Sequence, residues 1–418
     1  MLGAEEFGFA TTPLVAIGCI MMRVCHLDTC PVGVATQNPE LRERFTGQAE
    51  HVVNFFRFIA EEVRELLAQL GYRTLAEAVG DTAALDVDAA IRHWKAEGLD
   101  LTPILRGPGF PESEPRRSGR EQEHELDAHF DRGLIEIAAD ALERREPVVI
   151  DLPIRNIDRA VGTMLGHEVT KRHGAAGLAP ETIDVTLTGS AGQSLGAFLP
   201  AGVTLRLIGD ANDYVGKGLS GGEIAIRPHP DAGHPAAGNV IAGNTIGYGA
   251  TSGSLWIAGA VGERFLVRGS GATAVVEGTG DHALEYFTGG FALILGPTGR
   301  NIGAGMSGGE AAILDLDPAN VNSAELGSGA LALTPLDEAL REQISALLKR
   351  HAEQTGSELA TALLDEIEHD PDTVFARFTR LIPRGYSRVL EIRERANEQG
   401  LDPDGERVWS EILEATHG

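Results

Sequence analysis

The sequence predicts a mainly β protein in which short parallel strands are wound into a solenoid, with helices flanking it. Three observations carry this expectation. Glycine is concentrated, with 29 of the chain's 52 glycines between residues 189 and 310. In the same stretch, short β-branched or aliphatic runs alternate with glycine clusters at a short, near-constant interval, as in a coil-by-coil repeat. One unit recurs almost verbatim: Val215-Gly-Lys-Gly-Leu-Ser-Gly-Gly-Glu223 matches Ile302-Gly-Ala-Gly-Met-Ser-Gly-Gly-Glu310. Glycine suits the corners of such coils, where φ is positive or backbones approach closely. A glycine-rich disordered linker is the bland alternative. It is disfavoured because the aliphatic runs can bury a core that such linkers lack.

The elements follow in order. Leu2 to Glu6 leave no room for a folded element before them, so the chain is expected to begin inside a domain. Residues 47–70 predict a helix, because Val52, Phe55, Phe56, Ile59, Val63, Leu66 and Leu67 recur at helical spacing and Gly71 supplies a stop. Asp86 to Glu97 reads as a short helical piece. Residues 107–125 are rich in Pro, Gly and charge and read as a linker or extended wrap. Residues 126–145 predict a helix, Val148–Ile150 a short strand, and Asp158–Arg172 a further helix. Solenoid strands are expected at Val203–Ile208, Gly222–Ile226, Ser254–Ala258, Thr273–Val276, Phe291–Leu295 and Glu310–Leu314. After residue 330 the period turns helical. Thr334 is the expected cap, Pro335 the first helical residue, and Leu336, Leu340, Ile344, Leu347 and Leu348 one face. A second helix is expected through Leu359, Leu363, Leu364 and Ile367, with Val374, Phe375 and Phe378 continuing the packing until Pro383 breaks it.

Charge excludes some functions. With 35 Lys and Arg against 61 Asp and Glu, the net charge is −26. Nucleic acid and anionic membrane surfaces are therefore poor partners. No apolar run approaches the ~20 residues of a membrane span, and Glu5 and Glu6 spoil a signal peptide. The expected location is cytoplasmic.

All three cysteines fall in Gly18-Cys19-Ile-Met-Met-Arg-Val-Cys25-His26-Leu-Asp-Thr-Cys30-Pro31-Val-Gly33, spaced C-x5-C-x4-C. This is no secreted disulfide framework. Thiolates suit iron–sulfur clusters, Zn or Cu(I). Three cysteines on one loop suit a three-iron, four-sulfide cluster, and Pro directly after the last Cys is a ferredoxin-like habit. Zn held by the three cysteines and His26 is the competing metal reading, weakened because Cys25 and His26 are adjacent. Three buried, inert thiols are the third possibility.

At these residues the sequence resembles glutamate synthase. LGAEEFGFATTPLVAIGCIMMRVCHLDTCPVGVATQ, residues 2–37, is similar to the family's stretch that closes an FMN-binding (β/α)8 barrel and supplies the 3Fe-4S ligands. Residues 189–315 resemble its right-handed parallel β-helix with GxGxG repeats. VVIDLPIRNIDRAVGTMLGHEV at 148–169, and TGSELATALL and LIPRGYSRVL in the tail, extend the likeness over nearly the whole chain. The resemblance implies four segments: a barrel end with the cysteine loop at 1–46, helices and a charged linker at 47–125, the β-helix domain with its lead-in at 126–330, and a helical tail at 331–418. It implies Cys19, Cys25 and Cys30 as cluster ligands, and Gly3 and Ala4 at the end of the last barrel strand, facing the FMN phosphate. The implied partners are the remaining glutamate synthase domains and an NADPH-oxidising small subunit or ferredoxin. The family's glutaminase domain and most of its FMN barrel have no counterpart here, so the chain reads as a fragment, a split gene product or a truncation.

Two functions compete. The chain is either the cluster-bearing part of a glutamate synthase or a β-helix scaffold without a cluster; GxGxG solenoids also resemble a subunit of formylmethanofuran dehydrogenase. A dinucleotide-binding enzyme is disfavoured, because Gly216 and Gly218 lie in a repeat and not in a strand–turn–helix unit. His167, His173 and His282 have no catalytic spacing and read as surface or packing residues.

Overall fold

The computed structural model describes residues 1–23, 25, 30–36, 39–86, 94–96, 98–106, 119, 121–233, 235–403 and 405–416. The chain divides into two units, residues 1–124 and 125–418. Most of the expected linker at 107–125, and much of the helix expected at Asp86–Glu97, lie outside the described residues.

The first unit contains short helices, at Thr11–Ala16, Pro39–Arg42, Leu75–Ala78 and Thr102–Leu105, and one long helix, Ala49–Gln69. The long helix forms where the 3.6-residue apolar period predicts it. It ends at Gly71, which takes φ +87°. Gly71 N–H then donates to Ala68 O and Tyr72 N–H to Leu67 O, the pairing that closes a helix on a left-handed glycine. Phe56 on this helix meets Phe9 edge to face at 5.0 Å. No β-strand occurs among the described residues of 1–124, so the expected barrel strand is not formed here.

The second unit is built on one twelve-stranded sheet. Its strands are β1 (Val148–Ile154), β2 (Ile183–Ala191), β3 (Val203–Ala211), β4 (Ser220–Arg227), β5 (Val240–Ala242), β6 (Ser252–Ile257), β7 (Ala260–Val261), β8 (Ser270–Val276), β9 (Thr288–Ile294), β10 (Gly308–Leu314), β11 (Leu331–Thr334) and β12 (Phe378–Pro383). The main path runs β1-β2-β3-β4-β6-β8-β9-β10-β12-β11, and a side path joins β3 to β5 and β5 to β7. Every pairing from β1 to β10 is parallel, whereas β12 runs antiparallel to both β10 and β11.

In-register pairing lines up like side chains from strand to strand. Val185, Leu205, Ile224, Leu255, Ala274, Ala292 and Ala311 form one ladder, and Leu187, Leu207, Ile226, Ile257, Val276, Ile294 and Ile313 another. Both ladders lie in one continuous buried core. Residues between them point to the other face. There Ala225, Trp256, Val275, Leu293 and Ala312 pack beneath Leu340, Ile344, Leu348 and Leu363 of the helices Glu338–Thr355 and Glu358–His369. From β4 to β10 the strands are thus apolar on both faces, as parallel strands covered on both sides are, whereas on β2 and β3 the same outer face carries Asp184, Thr186 and Arg206.

Beyond the strands, the turns that follow successive strands are also tied together. Ser194 N–H donates to Asp213 O, Tyr214 to Asn244 O, Thr245 to Glu263 O, Arg264 to Asp281 O and His282 to Arg300 O, at 2.7–2.9 Å. Alternate turn residues are left-handed: Gly216 and Gly218 both have φ +63°, and Gly303 and Gly305 have φ +71° and +65°. The equivalent turns at Arg264, Leu266 and Arg268, and at His282, Leu284 and Tyr286, adopt the same conformation without glycine. An L-residue there costs roughly 1–2 kcal/mol. Leu266 and Leu284 are fully buried, and burying a leucine contributes about 1.5–3 kcal/mol, enough to offset the strain.

The tail differs from its expectation in two places. The helix begins at Glu338, not at Pro335. Asp337 accepts the N–H of Leu340 at 2.8 Å, and Asp is the stronger cap, while Thr334 ends β11. Phe378–Pro383 is a strand, because it finds an open edge on β10. No helix among the described residues is long and apolar enough to cross a membrane.

Candidate metal centre

The cysteine loop begins where the Thr11–Ala16 helix ends. Gly18 takes φ +107°. Its N–H donates to Val15 O at 3.0 Å and that of Cys19 to Leu14 O at 2.9 Å. This helix stop aims Cys19 into the loop. Met21 and Arg23 follow, both left-handed, and Met21 N–H points at Cys19 Sγ at 3.4 Å. A thiolate at position 19 therefore already has one backbone donor.

Cys30 sits at the other end of the loop and is only 6% exposed. Burial alone would raise its thiol pKa, but the N–H groups of Ala35, Val32, Val34 and Gly33 outweigh it and hold the thiol below its ordinary value. The turn after Pro31 makes this possible. Gly33 N–H closes on Cys30 O at 3.1 Å, and Gly33 takes φ +74° with no room for a side chain. A Cβ there would lie 2.4 Å from Leu41 O and 2.9 Å from Phe45 N. The short helix Pro39–Arg42, with buried Leu41, thus packs directly against the turn at Gly33. Backbone donors around sulfur tune iron–sulfur sites, so the environment of Cys30 fits a thiolate ligand.

Cys25 is exposed and Cys19 half-buried. All three thiols are free. Among the described residues, no group of three or more His, Cys, Asp or Glu side chains is gathered so as to hold a metal ion. The donor chemistry fits an iron–sulfur cluster, but the geometry of this chain does not yet bring the ligands together. His26, the alternative Zn ligand, lies outside the described residues. Gly3 has φ +106°, and a Cβ built there would meet nothing within 4 Å. Gly3 and Ala4 are both exposed. The backbone donors of residues 32–35 escaped the sequence reading; Pro31 and Gly33, bracketing a tight turn directly after Cys30, were their signal.

Of the histidines, His173 Nε2 lies 2.9 Å from Leu142 O and His282 Nδ1 3.0 Å from Glu285 Oε1. Gly216 and Gly218 lie in the stacked turns, as the repeat predicts.

The chain matches the GXGXG motif family over residues 131–384 and the conserved region in glutamate synthase over residues 1–73. It is similar to the glutamate synthase [NADPH] large chain of Bacillus subtilis, 47% identical over 406 residues, covering 97% of this chain and 26% of that protein. It is 48% identical over 404 residues to glutamate synthase [NADH] of Schizosaccharomyces pombe, covering 96% of this chain and 19% of that protein. Ferredoxin-dependent glutamate synthase 2 of Arabidopsis thaliana is 42% identical over 419 residues, covering 99% and 25%. The chain thus spans about a quarter or less of the length of these relatives. It belongs to the GXGXG family and corresponds to the C-terminal part of a glutamate synthase large chain.

Proposed function

We propose that this chain supports reductive transfer of glutamine-derived ammonia to 2-oxoglutarate, giving glutamate, as part of a complete glutamate synthase. Cys19, Cys25 and Cys30 are the ligands of a 3Fe-4S cluster, which supplies an electron relay toward FMN when bound. Gly3 and Ala4 border the FMN phosphate. Residues 1–46 close the barrel, and residues 126–330 form a right-handed β-helix that carries the helices of the tail. The partners are the remaining glutamate synthase domains and an electron donor, either an NADPH-oxidising small subunit or ferredoxin. The observation that carries this reading is Cys30, a thiol held toward thiolate by four backbone N–H groups within C-x5-C-x4-C-P.

The test is anaerobic co-expression with the remaining large-chain domains, followed by iron and sulfide analysis and electron paramagnetic resonance. Iron and sulfide in the cluster's proportions, lost in Cys19→Ser, Cys25→Ser and Cys30→Ser, are expected. Full occupancy by zinc without iron sinks the assignment.

A second reading, a β-helix scaffold without a cluster, is favoured by the ungathered thiols and by the large buried core that runs from Leu134 to Leu381. Limited proteolysis separates the two. A stable product starting after residue 46 supports the scaffold, and an intact N-terminus supports the cluster-bearing part.

A further inference from the structure

Along one edge of the stacked coils, left-handed positions form a row: Phe198, Gly218, Gly249, Arg268, Tyr286 and Gly305. Adjacent coils are tied there by N–H to carbonyl bonds, from Phe198 to Lys217, Gly218 to Tyr248, Gly249 to Val267, Arg268 to Glu285 and Tyr286 to Ala304. Glycine is the unstrained choice at this row, and three coils use it. Phe198, Arg268 and Tyr286 instead place long side chains on a strained backbone. Burial offsets the same strain at Leu266 and Leu284, but Phe198 and Tyr286 are each 55% exposed. Their rings lie over the next turn's Gly218 and Gly305 with the outer faces open, and strain kept at so exposed a position points to a functional role.

The charges point the same way. Lys217 lies over the rings of Tyr214 and Phe198 at 5.7 and 5.9 Å, and Arg268 over Tyr286 at 5.5 Å. Arg264 and Lys217 line a cavity of about 480 Å³ with Tyr214, Tyr248, Thr245 and Ser194, and no carboxylate borders it. Among the described residues, Lys217, Arg264 and Arg268 form no ion pair, and Glu285 beside Arg268 already accepts from Asn301 and faces His282. In a chain of net charge −26, this edge is a cationic, aromatic exception.

We propose that this edge is a docking groove for an extended acidic segment of a protein partner. Phe198 and Tyr286 anchor its two ends, and Lys217, Arg264 and Arg268 meet its carboxylates. The row from Phe198 to Tyr286 crosses five coils, roughly 19 Å at the usual strand spacing, which suits a peptide of about six extended residues and exceeds a small anion. Backbone donors from Phe198 to Tyr286 are consumed by the stacking, and that of Gly305 by Glu325 Oε1 at 3.1 Å, so strand addition is excluded and recognition falls on side chains. Aromatic residues with arginine are what well-packed protein interfaces favour.

The test is fluorescence anisotropy on the full chain with a labelled Glu-rich octapeptide containing one leucine, against its Gln counterpart and free glutarate. The acidic peptide should bind, weaken at high salt and bind about tenfold more weakly to Lys217→Gln/Arg264→Gln. Tyr286→Gly and Phe198→Gly should also weaken binding while leaving the melting temperature unchanged or raised, because glycine relieves the backbone. Equal binding of the Gln peptide, unaltered binding by the variants, or full competition by glutarate at equal concentration would overturn the groove. A lowered melting temperature in the glycine variants would overturn the argument from strain.

Discussion

At most buried positions glycine is a worse replacement than alanine, by about 0.5–1 kcal/mol. Leu284 should reverse that order. It is fully buried and sits at φ +61° in a stacked turn. Leu284→Ala removes most of the buried side chain, costing about 3 kcal/mol, and keeps a Cβ in the left-handed region. Leu284→Gly removes the same packing but relieves roughly 1–2 kcal/mol of backbone strain. Subtracting glycine's usual handicap leaves the Gly variant about 0.5–1 kcal/mol more stable than the Ala variant. Leu205 is the control: it is equally buried, lies in β3, and is absent from the positive-φ residues. There alanine should beat glycine by the ordinary margin. Urea unfolding of the four variants, followed by circular dichroism at matched slopes, reads the difference directly. If glycine is also the worse choice at 284, the coil geometry is not what holds this turn, and the account of leucine standing in for glycine is wrong.

Three further outcomes are expected. Gly33→Ala should push Leu41 and Phe45 away from the cysteine turn, given contacts of 2.4 and 2.9 Å for the new Cβ, and iodoacetamide should then label Cys30 faster by mass spectrometry. The Asp315 carboxyl is held below its ordinary value, first by hydrogen bonds from Arg377 at 3.1 and 2.6 Å. Its contribution is complete above the unfolded carboxyl pKa of about 4 and is lost as pH falls through the lower folded value. The stability gap between the native chain and Asp315→Asn, below about 1 kcal/mol for so exposed a pair, should therefore close in acid; a gap independent of pH refutes this. Ser357→Ala removes a hydroxyl that donates to Glu277 at 2.5 Å and accepts from Ala360 N–H at 3.0 Å. Because Ser357 and Glu277 are both buried, it should lower stability by roughly 2–3 kcal/mol, and a change under ~0.5 kcal/mol in urea would show that another donor replaces it.

Much of the second unit was legible because its signals are local and repeated. Each of the six expected solenoid strands overlaps an observed one, since an aliphatic run between glycines has one stable use in a parallel stack. Five strands escaped. β2 mostly precedes the glycine-rich stretch that begins at Gly189, β5 and β7 pair on a side path, and β11 and β12 add to the sheet antiparallel at the edge that β10 offers. The turns at 264–268 and 282–286 were invisible to a search for GxG, because burial of Leu266 and Leu284 lets leucine occupy a glycine conformation. At the tail, Thr334-Pro335 gave a plausible helix start, yet the stronger cap stood three residues later at Asp337.

The cysteine loop divides the same way, into what neighbouring residues determine and what they cannot. The spacing singled out three thiols as candidate soft ligands, and local structure supplies much of what two of them would need as thiolates. A helix stop orients Cys19, and a glycine turn surrounds Cys30 with N–H donors. Cys25 lies between these two local supports and is exposed. Charge stabilisation at a thiol is a short-range matter of a few N–H groups, so a single turn can create it. Gathering three thiols about one centre is a long-range matter, and the free energy of metal binding ordinarily helps to order such a site. The apolar side chains around the loop agree, since Leu2, Phe7, Ile20 and Met22 are all more than half exposed. Under the proposed cluster assignment, a site whose electrostatics are in place but whose thiols are apart should therefore gain order on binding. Amide exchange across residues 18–36 should slow when iron and sulfide are incorporated, and most of all around Cys25.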